Sequence, residues 1–241
     1  MSTLSERFFD QALATVQTLR TTQMGRIREA AALLARQLFA GGVIHIFGSG
    51  HSKAFAMELC NRAGGLMPMH AITLDDLNVN DIHDPMIERD PANAHKLLAL
   101  HDIRPEDGFI IVSNSGRNGA VVELAAAVKG RGLPLVVVTA LNHTSQVTSR
   151  HPSGRKLHEL ADVVIDNCGP YGDAALPVPG EGWNCCSISS ITGAFVAQAL
   201  TAEWVQAFLD RGERPPVLLS ANVDGGDAHN DALRKRYAGR M

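Results

Sequence analysis

Cysteine is scarce in this chain. Four residues in 241, Cys60, Cys168, Cys185 and Cys186, with no CxxC pair, are too few and too unevenly spaced for a disulfide frame. Adjacent Cys185 and Cys186 are poorly placed to chelate one tetrahedral ion, so no structural zinc is expected. The thiols fit a reduced, cytoplasmic compartment. A basic excess is also missing: 22 Lys+Arg against 25 Asp+Glu leave −3. A broad nucleic-acid surface is thereby disfavoured. No apolar run approaches the ~20 residues that cross a bilayer. Met1 to Phe9 shows no apolar stretch behind a basic flank, so neither a signal peptide nor a membrane partner is expected. Two nucleotide signatures are absent. Gly48-x-Gly50 lacks the third glycine of a dinucleotide fingerprint, Lys53 standing in its place, and no GxxxxGK[ST] occurs.

What is present is apolar bulk. At 45% apolar, the chain can bury a full core without staples. Residues 1–241 read as one domain with three parts: a helical arm over about 1–40, a core over 41–210 and a tail over 211–241. In the arm, Phe8, Ala12, Val16 and Leu19, then Ile27, Ala31, Leu34 and Leu38, recur every three or four residues, in one long helix or two. Ser2 or Thr3 is placed to cap its start and Gly41-Gly42 to end it. Short apolar runs follow at 43–47, 66–73, 109–112, 135–139 and 163–165. Helical stretches are expected at 52–62, 120–129 and 187–209. Five short strands alternating with helices predict an α/β fold with a parallel sheet covered on both faces. Two segments, 74–93 and 168–184, read as functional loops.

The first motif, Gly48-Ser49-Gly50-His51-Ser52, follows the first strand and opens a helix. Glycines let backbone N–H groups approach an anion, and a helix start offers unpaired donors. A plain strand-to-helix turn would look the same. The second motif, Ser113-Asn114-Ser115-Gly116-Arg117-Asn118, follows the third strand. Two hydroxyl- and glycine-rich turns at strand carboxyl ends strengthen the phosphate reading. Neither loop carries a basic cluster, so neutral donors would do most of the holding, with Arg117 as the one nearby cation.

The pair GSGHS and SNSGRN, after a helical arm, resembles the SIS (sugar isomerase) domain family over about residues 30–210. The whole is most similar to single-domain phosphoheptose-isomerase-type proteins. The resemblance implies a flavodoxin-like three-layer α/β/α sandwich that binds a phosphorylated sugar without a cofactor. It also implies a homodimer or homotetramer with active sites at subunit interfaces. Gly48, Ser49, Gly50, His51 and Ser52, with Ser113, Asn114, Ser115, Gly116 and Asn118, then become the phosphate-binding residues. A threonine is commoner in the family at the place of Asn118.

Aldose–ketose interconversion needs a base for a carbon-bound proton and a second group for the oxygens. Glu58, in Met57-Glu58-Leu59-Cys60-Asn61-Arg62, matches the family's E-L-x-x-R segment, although the spacing from the loop is a few residues shorter. A bland pairing with Arg62 at i+4 explains Glu58 equally well. The family's histidine on the last helix is absent, with Gln198 and Gln206 nearest. Ala54 stands where zinc-binding members have a histidine, so no metal is expected. Asp75, Asp76, Asp81 and Asp84 lack EF-hand spacing. Replacement histidines are His51, His83 in the acidic loop and His229 near the tail, of which His83 and His229 are the catalytic candidates beside Glu58. The leading expectation is a sugar-phosphate isomerase. A phosphosugar lyase or etherase, or a non-catalytic phosphosugar sensor, is the alternative.

Overall fold

The computed structural model describes residues 2–77 and 85–240. Helix α1 (Leu4–Phe39) is one continuous helix. Thr3 caps it, its hydroxyl accepting the Glu6 N–H while Glu6 reaches back to the Thr3 N–H at 2.6 Å. Then come β1 (Ile44–Gly48), α2 (Lys53–Leu59), β2 (Met69–Ile72), α3 (Pro85–Arg89) and α4 (Ala92–Ala99). The second half contains β3 (Gly108–Val112), α5 (Gly119–Gly130), β4 (Leu135–Thr139), α6 (Leu141–Ser145) and β5 (Val163–Asp166). It closes with the hairpin β6 (Ala174–Pro177) and β7 (Asn184–Ser187), then α7 (Ser189–Asp210) and α8 (Gly226–Arg236).

Five strands pair in parallel in the order β2-β1-β3-β4-β5. Alternate strand side chains feed opposite cores, as the two-residue period requires. Ile44, Ile46, Ile110, Val112, Val136 and Val138 pack against α1, α2 and α7. Phe47, Phe109, Ile111, Leu135 and Val137 pack against α4 and α5. The result is the expected three-layer sandwich. The arm is not a separate appendage: its second half buries Ile27, Ala31, Leu34 and Leu38. Trp204 of α7, fully buried, donates its indole N–H to the Ala31 carbonyl at 3.2 Å.

Two expected loops contain more structure than their sequence announces. Segment 74–93 includes α3 and the start of α4, and 168–184 includes β6 and the start of β7. The tail carries α8, which packs through Leu233 and Tyr237 onto Met67 and Leu218 at the amino-terminal edge of the sheet. Arg240 extends that contact, its guanidinium 2.6 Å from Asp107 just before β3.

Candidate active site

In a sheet of order 2-1-3-4-5 the connections leave β1 and β3 in opposite directions, so a crevice opens at their carboxyl ends. Gly48 and Val112 are register partners there. The two motif loops leave from adjoining strand ends, and His51, Ser52 and Asn114 are the motif residues that line one cleft there.

The first loop is shaped by glycine. A Cβ on Gly48 would stand 2.3 Å from the Ser52 carbonyl oxygen, and Gly50 has φ +53°. The chain therefore turns tightly enough for the Ser52 N–H to reach the Ser49 carbonyl at 3.0 Å. Ser49 is buried, and its hydroxyl donates to the Glu88 carboxylate of α3 at 2.5 Å. Glu88 is thus a site-region residue that the sequence did not disclose.

The second loop is tied from several sides. The Gly116 N–H donates to Ser113 Oγ at 3.2 Å, with Gly116 at φ +57°. Thr139 donates to the Ser113 carbonyl at 2.7 Å, and the Thr144 hydroxyl lies 3.1 Å from the Ser115 carbonyl. Asn167 donates its amide N–H to Asn114 Oδ1 at 2.7 Å and accepts from the Gly169 N–H at 2.9 Å. Asn118 precedes α5 and accepts from the Arg150 guanidinium at 3.0 Å. Arg150 corrects the expectation of a loop with no basic cluster. Although Arg150 is exposed, slight desolvation, then Arg117 and Arg89 nearby, pull its pKa down from the ordinary arginine value, so three guanidiniums share this corner.

Between the loops lies a small cleft. His51, Ser52, Ala54 and Phe55 line one wall, Asn114 and Asn167 another, and Ser189, Ser190 and Gly193 of α7 a third. Asp173 holds the start of α7, accepting from the Ser189 N–H and Ser189 hydroxyl, both at 2.8 Å. Ser189, Ser190 and Asn167 were also missed in the sequence. Two serines before an apolar helical run were the available signal.

The candidate acid–base residues are distributed unevenly. His51 lines the cleft. Glu58 stands one turn beyond Ala54 on the same stripe of α2, about 6 Å further along the axis. It is ion-paired with Arg62 and accepts from Gln198 of α7 at 3.1 Å. His83 lies outside the described residues. His229 sits on α8, its Nε2 2.8 Å from the Val217 carbonyl, so it donates there at the opposite edge of the sheet. Within one chain His229 is not brought to the loops. Among the described residues, no group of three His, Cys, Asp or Glu side chains is arranged to hold a metal ion.

A family model described as the SIS domain matches residues 7–140, from α1 through β4 and including both loops. The chain belongs to the SIS domain family. A curated relative, UPF0309 protein lmo0025 of Listeria monocytogenes, is 40% identical over 234 residues, covering 97% of each chain. The fold matches phosphoheptose isomerase GmhA from Neisseria gonorrhoeae with TM-score 0.53 and 19% identity, over 85% of this chain and 100% of that one. A phosphoheptose isomerase from Francisella tularensis gives TM-score 0.56 and 15% identity, over 86% and 100%. At such identities the structural likeness speaks for the SIS fold alone. No helix among the described residues is long and apolar enough to cross a membrane.

Proposed function

We propose that this SIS protein binds a phosphorylated sugar and interconverts its aldose and ketose forms through an enediol. The observation that carries the reading is that the two loops leave adjoining strand ends at the β1/β3 switch point and place His51, Ser52 and Asn114 in one cleft. Asn118 and Arg150 stand beside the second loop at the start of the twelve-residue α5, behind that lining. A phosphate held in that cleft leaves its carbon chain along α2. Glu58 is then the base that takes the carbon-bound proton. His51, already on the cleft wall, exchanges protons with the sugar oxygens. The exposed apolar side chains of α1 support self-association as well.

A thermal-shift panel of aldose and ketose phosphates tests binding, and NMR in D2O tests turnover. The expected outcome is stabilisation by at least one sugar phosphate, with deuterium entering the carbon beside the carbonyl and no change of skeleton. Glu58→Gln should lower kcat by about 10²–10⁴-fold, the range for general acid–base groups, while the thermal shift persists. A fragment lost from the product would indicate elimination in place of isomerisation. Binding without any exchange would identify a sensor. Full turnover in Glu58→Gln would remove Glu58 from the mechanism.

A further inference from the structure

Successive side chains of a strand point to opposite faces, which keeps the sulfurs of neighbouring cysteines apart. Cys185 and Cys186 of β7 depart from that rule. Cys186 has φ +61°, in the left-handed region that costs a side-chain-bearing residue roughly 1–2 kcal/mol. That twist brings the two sulfurs within 3.5 Å, with the Cys186 thiol donating to Cys185 Sγ. Both thiols are free; Cys186 is exposed and Cys185 half-buried.

What could use such a pair follows from its geometry. Neighbouring Cα atoms are about 3.8 Å apart, below the range of ordinary disulfides, so direct closure to S–S would be strained and easily reduced. A bridging soft atom between the sulfurs avoids that contraction. Zinc would need further protein ligands, and among the described residues no third His, Cys, Asp or Glu completes a set. The remaining fit is an electrophile that uses two sulfurs and brings its own third substituent. We propose that Cys185 and Cys186 form a bidentate dithiol site for a monosubstituted trivalent arsenical. In the reaction R–As=O with two thiols, two As–S bonds form and the As=O bond is lost. Both thiol protons leave with the oxygen as water, and arsenic keeps its oxidation state. The site stands apart from the phosphosugar reading, although β7 runs directly into the cleft serines of α7.

Phenylarsine oxide titrated into the reduced, full-length protein is the test. One equivalent should bind, removing two of the four native thiols from titration. Peptide mass mapping should find Cys185 and Cys186 together protected from alkylation. Cys185→Ser and Cys186→Ser should each weaken binding about a hundredfold or more, the gain a second tethered contact supplies. Cys60→Ser and Cys168→Ser should not. An adduct mapping to Cys60 or Cys168, equal affinity in the single variants, or no adduct would overturn the proposal. The mapping on unaltered protein decides the matter even if a serine variant fails to fold.

Discussion

At the scale of single residues, a chain of imidazoles beside the tail shows how burial becomes pH dependence. His45 is fully buried in β1, its Nε2 3.1 Å from Asp107 Oδ2 and its Nδ1 3.0 Å from Nδ1 of His70. With the Nε2 hydrogen of His45 given to Asp107, its Nδ1 accepts from Nδ1–H of His70. Burial, then repulsion from His45 and His101, holds His70 down at about 4 against an unfolded value of 6.5. Between those values the unfolded chain binds more protons, so stability is complete above about 6.5 and falls as pH drops toward 4. The loss should be on the order of 2–3 kcal/mol. Urea unfolding of the protein and of His70→Gln at pH 7.5 and pH 4.5 measures it. The difference between the two pH values should shrink in the variant, and an unchanged difference would place the titrating group elsewhere.

At the scale of elements, the docking of α1 on α7 depends on Trp204. It is wholly buried between them, with its indole N–H satisfied by the Ala31 carbonyl. Trp204→Ala should cost about 3–5 kcal/mol and shift the urea midpoint accordingly. A loss below 1 kcal/mol would mean that the two helices close over the gap. Elements with strong apolar patterning were legible beforehand. Leu135–Thr139 agrees residue for residue with its strand, and the final helix differs by one or two residues at each end. The hairpin was not legible, because β6 ends in proline and β7 is Asn-Cys-Cys-Ser, with no apolar alternation. Helix α8 was hidden by its polarity. The site divides in the same way. Its loops announce themselves through contiguous glycines and hydroxyls. Glu88 and Arg150 meet their partners across 39 and 32 residues, a separation that no local pattern encodes.

At the scale of the whole molecule, the apolar surface left open matters most. Phe9 and Leu13, one turn apart on α1, are each 67% exposed. The amino-terminal half of that helix buries little besides Ala12, Thr15 and Leu19. We predict that a second copy covers this stripe. Sedimentation equilibrium should give a multiple of the 25.8 kDa chain, and Phe9→Glu with Leu13→Glu should lower it while the circular dichroism spectrum holds. A monomer in the unaltered protein would refute the prediction. The second loop has a different large-scale effect. Its Ser113 and Ser115 carbonyls and its Asn114 side chain are already engaged by Thr139, Thr144 and Asn167. A guest entering the crevice therefore surrenders mainly its own tumbling, and calorimetry should record little entropic penalty from the host backbone.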